Sequence, residues 1–206
     1  MRTAVAGVLL AAGEGSRFGR PKALVELDGQ TLAERGVTLL RAGGTDPVLI
    51  VTGAAQVEVR PEHQARTVYN EEWRTGMGSS LRAALRALTE LETGPEIAAV
   101  VVALADQPLV GAEAVGRLIA AHQAGAGVVV AAYGGKPRNP VLLARKHWPE
   151  VIATVSGDQG ARTFLRAHPE LVTLVECGDT GRPDDIDTPA DLKHIAVRLP
   201  GSPRCG

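Results

Sequence analysis

Cysteine is nearly missing from this chain. Cys177 and Cys205 are its whole supply, and they match neither a metal-ligand spacing nor a disulfide framework. That usage points to a reducing, cytoplasmic setting. Aromatic side chains make up only 3% of the residues, which argues against a platform for stacking single-stranded bases. Excess charge of either sign is lacking too. Lys and Arg total 22 against 23 Asp and Glu, so there is no basic stripe and no nucleic-acid partner is expected. Nor is there a long apolar run: none approaches the roughly 18 residues of a membrane span, and no membrane partner is expected. The run from Ala4 to Ala12 follows Met1-Arg2-Thr3 as a short leader would. What comes next is a basic glycine loop instead of a cleavage site, so the run reads as a strand.

What remains is ample for a core. A chain of 206 residues with 45% apolar content is expected to make one domain, over residues 1–198. Residues 199–206, with two prolines and two glycines, read as a flexible tail. Short apolar runs over 5–12, 48–51, 67–69, 98–105, 127–133 and 171–175 predict buried strands. Between them lie helical signals. Thr31-Leu32-Ala33-Glu34 has the capping-box spacing, Leu81, Leu85, Leu88 and Leu91 recur at helical intervals, and 112–124 forms another helical stretch. Thr188-Pro189 has the N-cap and first-position pattern of a last helix. Alternation of this kind means an α/β domain with a mainly parallel sheet. Residues 134–140 break the rhythm with two glycines, two prolines and two cations, and Val141–Leu143 reads as a short strand outside it.

Three polar clusters fall where strands should end or helices begin: 13–22, Asp106-Gln107-Pro108 and Asp185 to Asp187. The first holds Gly13, Gly15, Ser16, Arg17, Gly19 and Lys22. Glycines let backbone N–H groups approach an anion, and the two cations add full positive charge. It lacks the Gly-Lys-Ser/Thr ending of a Walker loop, and no acidic residue about 20 positions on suits a dinucleotide ribose. The other two clusters supply carboxylates, hard ligands suited to a divalent cation on a polyphosphate. Each has a plainer reading: Asp106 as a turn residue, Asp187 and Asp158 as helix caps, Ser79 and Ser80 as either phosphate ligands or caps. Trp73 reads as packing, and the five histidines, without ligand spacing, read as surface residues.

Residues 10–22, Leu-Ala-Ala-Gly-Glu-Gly-Ser-Arg-Phe-Gly-Arg-Pro-Lys, resemble the signature loop of the MobA-like nucleotidyltransferases. The likeness continues through Asn70…Trp73…Gly76-Met77…Ser79-Ser80, Asp106-Gln107-Pro108, Pro137…Pro140, Gly157 to Arg162 and Asp185 to Pro189. This later set is most similar to the molybdenum cofactor cytidylyltransferase (MocA-like) branch. The resemblance implies a Rossmann-like, GT-A-like nucleotidyltransferase fold, with a mostly parallel central sheet and helices on both faces. It implies that Leu10, Ala11, Ala12, Gly13, Gly15, Ser16, Arg17, Lys22, Gly78 and Ser79 bind the nucleotide. Lys22, Arg17 and Asp106 would be catalytic, and Asp106 and Asp187 would hold Mg²⁺. Asn70, Ser80, Asn139, Asp158 and Arg162 would face the acceptor.

By the same resemblance the substrates are CTP, or GTP, and a molybdopterin-type phosphate acceptor, with a molybdoenzyme as recipient of the product. Ala12 stands where guanylyltransferase relatives carry a second glycine, and its methyl would crowd a purine more than a pyrimidine. The same loop and carboxylates would also serve guanylyl transfer or a sugar- or polyol-phosphate nucleotidyltransferase. A non-catalytic nucleotide-binding maturation partner is a reading of another class.

Overall fold

The computed structural model describes residues 3–91 and 96–196; the expected tail at 199–206 and Cys205 lie outside them. The first apolar run is the central strand. β1 (Ala4–Leu10) is flanked by β4 (Val48–Thr52) and β6 (Ile97–Leu104), both parallel to it. β5 (Ala65–Tyr69) extends the sheet beyond β4. On the other side follow β8 (Lys136–Ala144), β7 (Val128–Tyr133) and β9 (Val172–Glu176). The order is β5-β4-β1-β6-β8-β7-β9, and β8 alone runs against its neighbours.

Helices cover both faces, which is why the inner strands are apolar throughout instead of alternating. α1 (Leu32–Ala42) and α3 (Ala112–Gln123) pack on one face, around Leu9, Ile50, Val101 and Val129. α2 (Met77–Thr89), α4 (Trp148–Thr154) and α5 (Arg162–Ala167) pack on the other, around Val8, Val100, Val130 and Leu143. Leu81, Leu85 and Leu88 of α2 are fully buried. Removing each from water contributes about 2 kcal/mol. The expected capping box opens α1: Thr31 Oγ1 accepts from Glu34 N–H at 3.1 Å, and Glu34 Oε2 accepts from Thr31 N–H at 3.0 Å.

A third, smaller core matters most for the site. The hairpin β2 (Glu26–Leu27) and β3 (Gln30–Thr31) and the last helix α6 (Pro189–Ala196) enclose Val25, Leu27, Leu32, Ile186 and Ile195. Ile186 is completely buried, and its N–H donates to the Asp106 carbonyl at 2.8 Å. That contact brings the Asp185–Asp187 segment to the end of β6.

Two local expectations are corrected. Residues 134–140 are not irregular: the chain turns at Gly134-Gly135 and Lys136 begins a nine-residue strand. Prolines are tolerated there because β6 pairs only with Val141–Ala144, leaving the first half of β8 bonded on one side. The register also jumps from Val130–Val141 to Ala131–Arg138, so Asn139 and Pro140 bulge out of the ladder. Asp158 does not cap α5. It lies in a separate 3-10 turn, Gly157–Gln159, and the residue preceding the helix is Ala161.

Candidate active site

A cleft of about 340 Å³ opens at the carboxyl ends of β1 and β6, the place where open parallel sheets bind ligands. Leu10, Ala11, Ala12, Gly13, Gly15, Ser16, Arg17 and Lys22 all line it. The loop is anchored to the end of β4, by Ala11 N–H to the Val51 carbonyl at 3.0 Å and by Ala54 N–H to the Ala12 carbonyl at 3.0 Å. A tight turn follows, in which Phe18 and Gly19 N–H both donate to the Gly15 carbonyl at 2.8 Å. Gly15 has φ +65, and a Cβ there would collide with the Arg20 carbonyl oxygen, so the turn requires glycine. The backbone N–H groups of Gly13 through Arg17 donate to no described residue. These five successive donors beside the cleft are left for an anion, and the loop is termed the cradle below.

The same cleft holds a charge cluster. Lys22 Nζ donates to Asp106 Oδ2 at 2.5 Å and to Asp187 Oδ1 at 3.0 Å. Arg17 Nη1 reaches the other oxygen of Asp187 at 3.0 Å, with its side chain 76% exposed. Burial presses the Lys22 pKa down, but the two carboxylates outweigh it and raise the group above the ordinary lysine range. Asp185 stands just behind, held by Gln107 Nε2 at 2.8 Å. Burial raises its pKa, the Gln107 hydrogen bond opposes that shift, and the charges of Asp106 and Asp187 add to it. Asp187 is not the cap of α6: that role belongs to Thr188, whose Oγ1 accepts from Asp191 N–H at 3.3 Å.

Two carboxylates converging on one ammonium are a donor set that suits a divalent cation, with Lys22 Nζ marking the position of positive charge. Among the described residues no cluster of three or more His, Cys, Asp or Glu is placed to hold a metal. Asp106 and Asp187 would therefore hold Mg²⁺ only together with substrate phosphates and water, as is usual for that ion.

The remaining expected residues divide. Ser80 and Asp158 line the cleft. Gly76, at φ +108, lies so close to the Gly157 backbone and the Asp158 carboxylate that a Cβ would clash, which locks that turn onto the entrance of α2. Gly78 and Ser79 do not line the cleft. α2 begins at Met77, so both fall in its first turn, buried behind the wall. Asn70 is buried as well, its Nδ2 donating to Ser79 Oγ at 2.8 Å and Ser80 Oγ at 3.0 Å, its Oδ1 accepting from Glu72 N–H at 3.0 Å. It organises the wall instead of presenting a free amide. Asn139 and Arg162 line a different groove, beside α5.

Trp73 packs against Gly53 and also lines the cleft, with the Arg74 guanidinium 4.3 Å from its ring centroid. Met77 belongs to the motif that carries the family resemblance but is given no role there; it too lines the cleft. The histidines lie away from the cleft, and His63 is far from a surface residue: its side chain is 13% exposed beside Glu34.

Residues 7–172 match the MobA-like NTP transferase domain. A curated relative from Paenarthrobacter nicotinovorans, named nicotine blue oxidoreductase, is 40% identical over 205 residues, covering 93% of this chain and 96% of that protein. A probable molybdenum cofactor guanylyltransferase of Opitutus terrae is 40% identical over 129 residues, 62% of this chain and 60% of its own length. The solved structure of a Mycobacterium sp. strain JC1 homologue of Mycobacterium tuberculosis Rv0371c superposes with a TM-score of 0.78. It is 27% identical and covers 96% of this chain and 97% of that one.

Proposed function

The chain belongs to the MobA-like NTP transferase family, and on that premise we propose that it transfers CMP from CTP to the terminal phosphate of a molybdopterin-type acceptor, releasing pyrophosphate. The observation that carries the reading is the pairing of the unspent N–H cradle at Gly13–Arg17 with the Lys22–Asp106–Asp187 cluster across one cleft. The cradle and the two cations take the triphosphate. The acceptor phosphate attacks the α-phosphorus in line, a new P–O bond forms, and the bond to the β-phosphate oxygen breaks. That nucleophile is already anionic, so no general base is needed, in keeping with a cleft lined by no histidine among the described residues. Lys22 and Arg17 neutralise charge that develops on the phosphoryl oxygens, and Asp106 and Asp187 orient their positive partners. Mg²⁺, when bound by those carboxylates, would supply charge neutralisation at the phosphates.

Ala12, 7% exposed on the cleft wall, supports CTP over GTP because its methyl narrows the base end. Ser80 and Asp158, which line the cleft from α2 and the Gly157–Gln159 turn, are where the acceptor would enter. We place the reaction in the cytoplasm, with a molybdoenzyme receiving the product. The test is a pyrophosphate-release assay with each of four NTPs, Mg²⁺ and candidate acceptors. Tight NTP binding with no release from any acceptor would overturn transfer in favour of a binding partner.

The near full-length likeness to nicotine blue oxidoreductase favours a second reading, an oxidoreductase acting on nicotine blue or a related compound. Two features count against it. β4 ends at Thr52, and the next carboxylate in the chain is Glu58, well beyond the strand end where a dinucleotide ribose is held. The single described thiol, Cys177, is buried, and burial pushes its pKa up, away from a reactive thiolate. Oxidation of NADH or NADPH in the presence of nicotine blue, followed spectrophotometrically, separates this reading from transfer.

A further inference from the structure

Beyond the Gly157–Gln159 turn a second groove, of about 610 Å³, lies between α5 and the outer end of the sheet. Its floor is apolar, made by Val130, Val141, Val172, Leu165 and Leu174, and Leu174 is 49% exposed. Around it stand Arg138 of the bulged half of β8 and Arg162 and Arg166 of α5, with no Asp or Glu in the lining. None of the three makes an ion pair with a described residue. Among the described residues the Arg138 side chain reaches only the Pro137 carbonyl and that of Arg166 only Gln159 Oε1, while the Arg162 side chain makes no hydrogen bond. Other arginines of this chain are neutralised, as in Arg60–Glu34, Arg117–Asp179 and Arg182–Asp184. Arg162 and Arg166 are also four apart on a helix, a spacing at which like charges repel. An uncompensated cluster of this kind is stabilised by an anion that takes its forks.

We propose that this groove is a second binding site, for a small molecule with one phosphate on an apolar ring body. Guanidinium groups grip phosphate bidentately and stack on ring faces, whereas the valine and leucine floor takes the apolar part. The volume falls in the range of small-molecule sites. Asn139 and Arg162, which the resemblance assigns to the acceptor, line this groove, but the 13–17 loop and the carboxylate cluster contribute nothing to it, so binding here is testable apart from nucleotidyl transfer.

The probe is 1-naphthyl phosphate, titrated into the full-length protein by its fluorescence. Binding is expected, with 1-naphthol and inorganic phosphate each weaker by about tenfold or more, because each lacks half of the recognition. The triple variant Arg138→Gln, Arg162→Gln, Arg166→Gln should lose about tenfold or more, and Leu174→Ser should weaken binding too. These side chains are exposed, so unchanged circular dichroism and melting temperature will show that the fold is kept. Lys22→Met should leave probe binding unchanged. Absence of binding to the wild-type protein overturns the proposal. So does binding that survives the triple variant or is lost in Lys22→Met, which would place the anion in the main cleft.

Discussion

The Lys22 ammonium and the Asp106 carboxylate meet at 2.5 Å across 84 residues of chain, where β1 and β6 both end. Lys22 also holds Asp187, so one cation keeps two carboxylates, with Asp185 behind them, from repelling one another. Lys22→Met should therefore act in two ways. Turnover should fall by about 10²–10³, the usual effect of removing a group that stabilises transition-state charge. The melting temperature should also fall in metal-free buffer and recover more on adding Mg²⁺ than the wild type does, since the ion would replace the missing charge. Differential scanning fluorimetry checks the second effect without any acceptor; equal Mg²⁺ shifts in both proteins would refute it. The sign with pH is fixed as well. Because the folded-state pKa of Lys22 is raised, its stabilisation is complete below the ordinary lysine value of about 10.4 and is lost as pH rises through the folded value.

Gly15 sets the shape of the cradle. Gly15→Ala would have to hold a left-handed φ, at a cost of about 1–3 kcal/mol, while its methyl displaces the Arg20 carbonyl. The expected result is a folded protein that has lost most of its NTP affinity, measured by calorimetry. NTP affinity equal to wild type would show that the N–H groups of 13–17 do not hold the phosphates.

The strand-end chemistry was legible in the sequence because a charge-free run that stops at glycine has few alternatives. Asp106 and Asp187 could likewise be marked from strand and helix boundaries, although their meeting depends on Ile186 being buried in the third core, which no spacing encodes. The apolar stripe does not mark helix onset: Leu81 begins the stripe, but Met77 begins α2, which places Gly78 and Ser79 in its buried first turn. Pro137 and Pro140 hid β8, since its half-paired state is a property of neighbouring strands. Asn139 and Arg162 are separated from Ser80 and Asp158 by tertiary packing alone.

Asn70 spends its amide on Ser79, Ser80 and the Glu72 backbone in a buried setting. Asn70→Ala leaves these groups short of partners and should destabilise the fold by about 3 kcal/mol in urea denaturation. NTP affinity should weaken with it, because Trp73 and Gly76 belong to the same wall. A stability change under about 0.5 kcal/mol, the range of ordinary surface substitutions, would mean that the network carries no such weight.

Glu176 ties the β7–β8 turn to β9 by accepting from Gly134 and Gly135 N–H at 2.9 Å and Gly178 N–H at 3.0 Å. Those amides favour the ionised form and hold its carboxyl below the usual glutamate range. A depressed acid stabilises the fold above its unfolded pKa, about 4.3, and that contribution is lost as pH falls through the folded value. Glu176→Gln should consequently be less stable than wild type at neutral pH, with the gap closing in acid. Denaturation curves taken across that range decide it; a gap constant with pH would mean that ionisation of Glu176 does not matter.

Base choice offers the sharpest test of the loop, because a single methyl carries it. The Ala12 carbonyl accepts from Ala54 N–H, so the residue is pinned between the ends of β1 and β4, and its side chain cannot retreat without breaking that bond. Ala12→Gly removes the methyl and widens the cleft by one carbon. It also loosens the loop, at about 0.5–1 kcal/mol, but that loss falls on every nucleotide alike and cancels in a ratio. The quantity to measure is therefore kcat/KM for GTP divided by kcat/KM for CTP. It should rise by about tenfold, the lower end of what one methylene is worth in a binding pocket. Leu10 and Ala11, which share the wall, stay unchanged in the variant and serve as its internal reference. If both rate constants fall together and the ratio holds, the base does not contact position 12, and selection must be sought along the Trp73–Met77 wall instead.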